Sequence, residues 1–306
     1  MPGKFMREKI KLYMQSLRLE RWPRSLAIIP GFIAVFILSP ELLKTVNLVD
    51  LLLRLGLGFG LTWLISTANY IVNEITDAPY DKHHPQKKNR PLINNQISPV
   101  KLLFLWSLMV AISITISLLL YNTYFVFSLL ALLVAGVLYN VPPVRLKDVP
   151  FLDSTVESAN NPIRFLIGWY IVQTSFPPLS LLLAWWCFGN FLMIGKRVAE
   201  KKFLTEAESA GYRLSLKKYS HRMLMSFMII NGLLFVLTFS LFALKIKYHT
   251  FLLSLPFIII YLIIFLKKSL SDPEAAEEPE KLLKNPHFAF YTLFLVVIFI
   301  IAFIFK

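Results

Sequence analysis

Charge is what this sequence has least of. Only 16% of its 306 residues are Asp, Glu, Lys or Arg, and mean hydropathy is +0.61. A soluble domain of this length carries roughly a quarter of its residues charged, so a soluble globular fold is excluded. There is one cysteine, Cys187, inside an apolar block, so the sequence cannot form an internal disulfide. A lone buried thiol behaves as a small apolar side chain. The sequence also lacks a GxxxxGK[ST] phosphate loop, an HExxH motif and a serine-nucleophile motif, and His83 and His84 have no further ligands at zinc spacing.

What is present is a series of apolar blocks long enough to cross about 30 Å of hydrocarbon. They read as about nine transmembrane spans: 23–43, 50–76, 99–120, 124–141, 152–174, 179–197, 219–244, 250–267 and 286–305. The fold class is therefore an all-α integral membrane protein. Residues 1–22 read as a basic amphipathic segment lying on the cytoplasmic membrane surface, and 23–306 as one transmembrane catalytic domain. No small-residue cleavage site follows the first span, so the N-terminus does not read as a cleaved signal.

The net charge of +14 does not point to nucleic acid, because Lys and Arg are confined to the segments between spans. They fall on one side. Lys4, Arg7, Lys9, Arg18 and Arg24 precede the first span, and Lys82, Lys87, Lys88, Arg90, Arg145, Lys147, Lys196, Arg197, Lys217 and Lys218 lie in long segments after even-numbered spans. The opposite side has Lys44, Arg54, Lys245, Lys247 and Lys306. The positive-inside rule predicts a cytoplasmic N-terminus, cytoplasmic loops at 77–98, 142–151 and 198–218, and a C-terminus outside. The acidic stretch 271–286 reads as a solvated cytoplasmic loop.

Three polar constellations fall on that side. The first, residues 73–91, places Asn73, Asp77 and Asp81 at i, i+4 and i+8, on one helical face. Pro79 predicts a kink or an end there. Carboxylates at a membrane boundary are costly and usually functional. Hard oxygens at this spacing suit Mg²⁺, which recruits substrate phosphates, and Lys87, Lys88 and Arg90 follow to neutralise them. A solvated helix end with mixed charges is the bland alternative.

The second constellation, residues 139–165, places Asp153, Glu157, Asn160, Asn161 and Arg164 on one broad face running into the fifth span. An arginine that deep needs an anion or a polar cavity, and an ion pair with Glu157 is the simplest supply. The third, GKRVAE at 195–200, is followed by Arg213, Lys217, Lys218 and Tyr219. Lys196 and Arg197 read either as phosphate cations or as a pair snorkelling to the interface. Such a mixture suits a site for a phosphate ester and a lipid-tailed substrate. A transporter or lipid-binding protein is the non-enzymatic alternative. The clustering at one face, away from the midplane, argues against it.

The run Asn73-x3-Asp77-x3-Asp81-x2-His84-Pro85-x-Lys87-x2-Arg90-Pro91 resembles the first signature of the UbiA superfamily of intramembrane prenyltransferases. Tyr139 to Asp153, with PPVRLK, resembles its second region. The resemblance implies a nine-helix UbiA-like bundle with a cavity open to the membrane. It implies that Asn73, Asp77, Asp81 and Asp153 bind Mg²⁺ and a diphosphate, with Glu157 contributing. Lys87, Arg90, Lys147, Asn160, Arg164, Lys196 and Arg197 become expected substrate contacts. Glu74 stands where the family usually has Asp, and Glu157 where many members have a second Asp.

GKRVAE with Arg213 and Tyr219, Lys147 six residues before Asp153 and Arg164 eleven after it resemble the decaprenyl-phosphate phosphoribosyltransferase branch. The segment FLIGWYIVQ lacks the small-residue run that branch implies. The branch implies transfer of 5-phosphoribosyl from phosphoribosyl pyrophosphate to a polyprenyl phosphate. The alternative is transfer of an isoprenyl group from a polyprenyl diphosphate to an aromatic or other lipophilic acceptor. Both imply Mg²⁺, a lipid substrate and surrounding membrane lipids, with no nucleic acid.

Overall fold

The computed structural model describes residues 2–82, 89–203, 214–272, 282 and 284–304. Among them every regular element is helical. Lys87, Arg213, the two histidines at 83 and 84 and most of the acidic stretch lie outside the described residues.

α1 (Pro2–Leu17) is the basic N-terminal helix. Its Leu12, Tyr13 and Leu17 pack with Ile71, Leu92, Ile97 and Leu102. Arg18 then takes a left-handed conformation, φ 50°, and a 3-10 stretch (Leu19–Ile28) leads into α2 (Ile29–Leu38).

α3 (Leu48–Asp81) is opened by the Asn47 side chain, which accepts from the backbone of Val49 and Asp50 at 2.9 and 3.2 Å. Thirty-four residues reach roughly 50 Å, well beyond the hydrocarbon, so its polar last turns can stand at or past the boundary. The helix continues through Pro79 to Asp81. A proline this close to the end deletes one bond of the final turn, so the helix need not stop before it.

α4 (Pro99–Leu120) starts with proline in its first turn, and α5 (Thr123–Asn140) is capped by Asn122, which accepts from Phe125 N–H at 3.0 Å. There follow α6 (Leu152–Trp169), α7 (Leu179–Phe203), a short α8 (Leu214–Lys218), α9 (His221–Lys245), α10 (Leu255–Ser271) and α11 (Pro286–Ile304).

Seven helical stretches are long and apolar enough to cross a membrane, not clearly the nine expected. They are Arg7–Leu38, Leu48–Asp81, Pro99–Leu120, Thr123–Asn140, Leu179–Phe203, His221–Lys245 and His249–Ser271. The expected fifth span is α6, whose 18 residues carry Asp153, Glu157 and Arg164 and so fall short on apolarity. The expected ninth has a shorter apolar run, Pro286–Ala302. Large apolar side chains stand outward along the spans, among them Phe104, Leu119 and Phe127, at 69%, 75% and 62% exposed. In water such surfaces would associate; lipid covers them. The protein is an integral membrane protein.

The chain packs as two compact units. One comprises Met1–Lys147 and Ile163–Ser175; the other comprises Asp148–Pro162 and Phe176–Lys306, so α6 is shared at Pro162. In the first, α3 meets α5 where the Asn69 side chain lies across Gly136 and donates to the Leu132 carbonyl at 2.8 Å. A Cβ at Gly136 would fall 2.2 Å from the Asn69 side chain, so only glycine fits. Phe191, Ile194, Val198, Leu224, Met228 and Phe265 lie in the core of the second.

Candidate active site

The end of α3 builds a charged centre in the first unit. Lys147 lies at the bottom of the segment after α5 and is buried. Its ammonium donates to Asn73 Oδ1 at 3.1 Å, to Asn140 Oδ1 at 2.9 Å and to Asp77 Oδ1. Three oxygens from two helices thus cradle one cation. Arg145, two residues earlier, adds a bond from Nη2 to Asp77 at 3.0 Å, and its Nη1 donates to the carbonyls of Thr76 and Asn140. Its guanidinium also lies 4.2 Å from the centre of the Tyr80 ring.

One turn on, Asp81 is buried and pairs with Arg90. Arg90 also reaches Glu74 at 3.3 Å, and Arg18 meets the same Glu74 oxygen at 2.9 Å. Three carboxylates and four cations therefore interleave at the end of one apolar helix. Arg145, Asn140 and Arg18 were not among the expected site residues. Arg145 and Asn140 sit in the run NVPPVRLK beside Lys147, and only the fold shows that α5 brings them to Asp77. Arg18 gave no signal beyond its charge.

The oxygens around Lys147 are the hard donors that Mg²⁺ takes. Among the described residues no three His, Cys, Asp or Glu side chains converge as a ready-made metal site. That still fits Mg²⁺, which commonly takes one or two carboxylates and completes its shell with water and substrate phosphate.

The second unit holds a different centre. Arg197 on α7 is wholly buried, the largest such side chain among the described residues. Its Nε donates to Asp153 Oδ2 at 3.0 Å, Nη2 to Glu157 at 2.6 Å and Nη1 to Glu200 at 2.9 Å. Asp153 also accepts from Ser215 Oγ at 2.9 Å, from Tyr219 O–H at 2.6 Å and from the Ser154 N–H. These four bonds use the four lone-pair positions of a carboxylate. Tyr219 in turn accepts the Phe151 N–H. Burial raises the Tyr219 pKa, and the neighbouring Asp153 charge raises it further, so the phenol remains a proton donor. Arg197 is thus neither exposed nor snorkelling: it is the hub of three acids. The arginine the sequence suggested for phosphate is held by protein carboxylates.

The other expected contacts separate. Glu157 pairs with Arg197, whereas Arg164 donates to Ser66 Oγ at 3.2 Å, so the helical Glu157–Arg164 pair does not form. Asn160 bonds back to the Glu157 carbonyl of its own helix at 3.0 Å. Lys196, half-buried, has no ion-pair partner among the described residues.

Residues 27–284 match the UbiA prenyltransferase family. The chain belongs to that family. The described fold is a UbiA-like helical bundle. A UbiA homolog from Archaeoglobus fulgidus bound to GPP and Mg²⁺ superposes with a TM-score of 0.67 over 95% of this chain and 99% of that one, at 19% identity. A digeranylgeranylglyceryl phosphate synthase does so with a TM-score of 0.65 over 97% and 98%, at 18% identity. At these identities the likeness is one of fold. A lycopene elongase/hydratase of Haloarcula japonica is 30% identical over 121 residues, 39% of this chain and 40% of that protein. An uncharacterized protein, y4nM of Sinorhizobium fredii, is 28% identical over 203 residues, 66% of this chain and 35% of that protein. The chain thus spans well under half the length of these curated relatives. None of the relatives named here is a phosphoribosyltransferase, so nothing places the chain in that branch of the UbiA family.

Proposed function

We propose that the protein is a Mg²⁺-dependent intramembrane transferase that moves an isoprenyl group from an isoprenyl diphosphate to a lipophilic acceptor. The observation that carries this reading is the cradle of Asn73, Asp77 and Asn140 around Lys147, flanked by Arg145, at the end of an apolar helix. Asn73, Asp77 and Asp81 would hold Mg²⁺ together with the donor diphosphate. When bound, the ion supplies positive charge to the leaving diphosphate.

The rest of the work falls to the chain's own groups. Lys147, Arg145 and Arg90 are paired with the carboxylates Asp77 and Asp81, and each can turn to a phosphate oxygen once the donor arrives. Lys87 would add a cation from the same run. Glu74 keeps Arg18 and Arg90 aligned beside the site. Asp153, with its acceptor positions used within the protein, is assigned to positioning the 214–219 segment, and Glu157 to positioning Arg197. Lys196 and Asn160 are substrate contacts in this reading. The charge asymmetry supports a cytoplasmic N-terminus and site, with the C-terminus outside.

An isoprenyl donor is favoured over phosphoribosyl pyrophosphate for a specific reason. The second donor presents a further phosphate and needs cations beyond those for one diphosphate. Arg197, the strongest candidate, is already engaged by three carboxylates. The named relatives bound to GPP and DMAPP also support the isoprenyl reading. The test is purified protein with Mg²⁺, each donor in turn and a panel of lipid and aromatic acceptors. Isoprenyl transfer with diphosphate release is expected. Use of phosphoribosyl pyrophosphate with a polyprenyl phosphate, and of no isoprenyl diphosphate, would overturn it.

A further inference from the structure

α3 presents more than its polar end. Trp63, Ser66, Tyr70, Asn73 and Asp77 recur at three and four residues and form one stripe along the helix. Ser66 accepts from Arg164 Nη2 at 3.2 Å. Arg164 Nε is buried and has no hydrogen-bond partner, and no carboxylate pairs with this guanidinium among the described residues. The charged groups that act on it are Arg24, of like sign, and the neutral Tyr70 phenol. The Trp63 indole N–H, on the same stripe, is likewise buried without a partner. Both orphans are pure donors. A charge near the middle of a membrane helix with no counter-charge is costly and marks a functional position.

Its place along α3 decides what it can hold. Ser66 precedes Asn73 by two helical turns and Asp77 by three, so it lies roughly 10 and 16 Å along the axis from them. A diphosphate held by Asn73 and Asp77 does not extend that far into the membrane. An arginine there would also repel positive charge developing on an isoprenyl carbon. Arg164 therefore serves a second oxyanion.

We propose that Arg164, with Ser66 and Trp63, binds the oxyanion of the acceptor, which is a lipophilic carboxylate or phosphate. The inference rests on the isoprenyl-transfer reading for the identity of the other substrate. Such an acceptor differs from the hydrocarbon for which the Haloarcula japonica relative is named.

The experiment measures binding to purified wild-type protein of two matched pairs: myristate against methyl myristate, and dioleoylphosphatidic acid against dioleoylglycerol. Farnesyl diphosphate with Mg²⁺ is titrated separately. At least one anionic member should bind more tightly than its neutral partner by about tenfold or more, the scale of a lost charge-assisted contact. The carboxylate and phosphate arms identify which head is taken. R164M should abolish that preference and change farnesyl diphosphate affinity by less than about twofold, and R164K should restore part of it. Should R164M fail to fold, the wild-type preference and its weakening in W63F decide the matter. Equal binding of both members in both pairs overturns the proposal, as does a loss of donor affinity in R164M equal to the loss for the anion. Wild-type protein that does not bind farnesyl diphosphate would instead defeat the donor reading.

Discussion

The ammonium of Lys147 bonds to the side chains of both Asn73 and Asp77, more than seventy residues earlier in the chain. The cation that neutralises the leading carboxylate of the motif is thus delivered by the segment after α5, not by the basic run that follows the motif in sequence. Lys147→Met leaves Asp77 with Arg145 alone. It should raise the donor KM and lower kcat together, for a loss of about 2–4 kcal/mol in kcat/KM. Steady-state kinetics with varied isoprenyl diphosphate would check this, and an unchanged KM would remove Lys147 from the donor site.

Metal dependence follows from the same oxygens. Asp77→Asn and Asp81→Asn should each slow turnover by several kcal/mol in the barrier, on the order expected for a metal-held leaving group. Both variants should still elute as folded protein in detergent. EDTA should abolish activity and Mg²⁺ restore it. Full activity in EDTA would defeat the assignment.

Arg197 tests a structural role against a binding role. It holds three carboxylates without solvent contact, so Arg197→Met should destabilise the protein by about 3–5 kcal/mol, read as a fall in thermal midpoint in detergent. Lys196→Ala, next in sequence but free of such partners, should leave the midpoint unchanged. An equal effect of the two would show that the ion-pair hub does not hold the second unit together.

Tyr219 gives this centre an alkaline limit. Its pKa is raised by burial and by Asp153, so the neutral phenol is favoured in the folded state. The stability this contributes is present below the ordinary tyrosine value, about 10, and is lost as pH rises past it toward the folded value. Tyr219→Phe should lower stability by about 1.5–3 kcal/mol at neutral pH, the worth of a hydrogen bond to a charged group. It should also flatten the decline above pH 10 in thermal melts followed against pH.

Orientation can be settled by labelling. With Cys187 replaced, a cysteine at Gln86 should react with membrane-permeant maleimide and not with an impermeant one applied from outside. Impermeant labelling in intact cells would invert the proposed topology.

Hydropathy made the membrane class and most spans legible, because long apolar runs admit few other structures. The fifth span was harder. Asp153, Glu157 and Arg164 lie on one helix, and periodicity alone paired Glu157 with Arg164. Arg197 competes for Glu157 from another helix, and its buried guanidinium, with no other carboxylates available, takes all three acids. The motif at the end of α3 was readable from spacing, including Asn73, Asp77 and Asp81. Its partners Arg145 and Asn140 were not, because no local pattern reveals which loop packs against which helix end. Glu74 read as a variant aspartate; the structure makes it an anchor for Arg18 and Arg90.

The crossing of α2 and α6 has a bearing on specificity. A methyl group at Gly31 would fall 1.9 Å from the Phe165 carbonyl oxygen, and one at Gly168 would fall 1.8 Å from that of Ile28. The two backbones therefore touch on either side of the turn that carries Arg164, and neither helix can slide past the other. The level at which the arginine meets a ligand is set by this backbone wedge, not by the attraction of any charge. Gly31 and Gly168 act as a ruler: they fix how far the head of an acceptor lies from the diphosphate, and hence which lengths of molecule the enzyme can join.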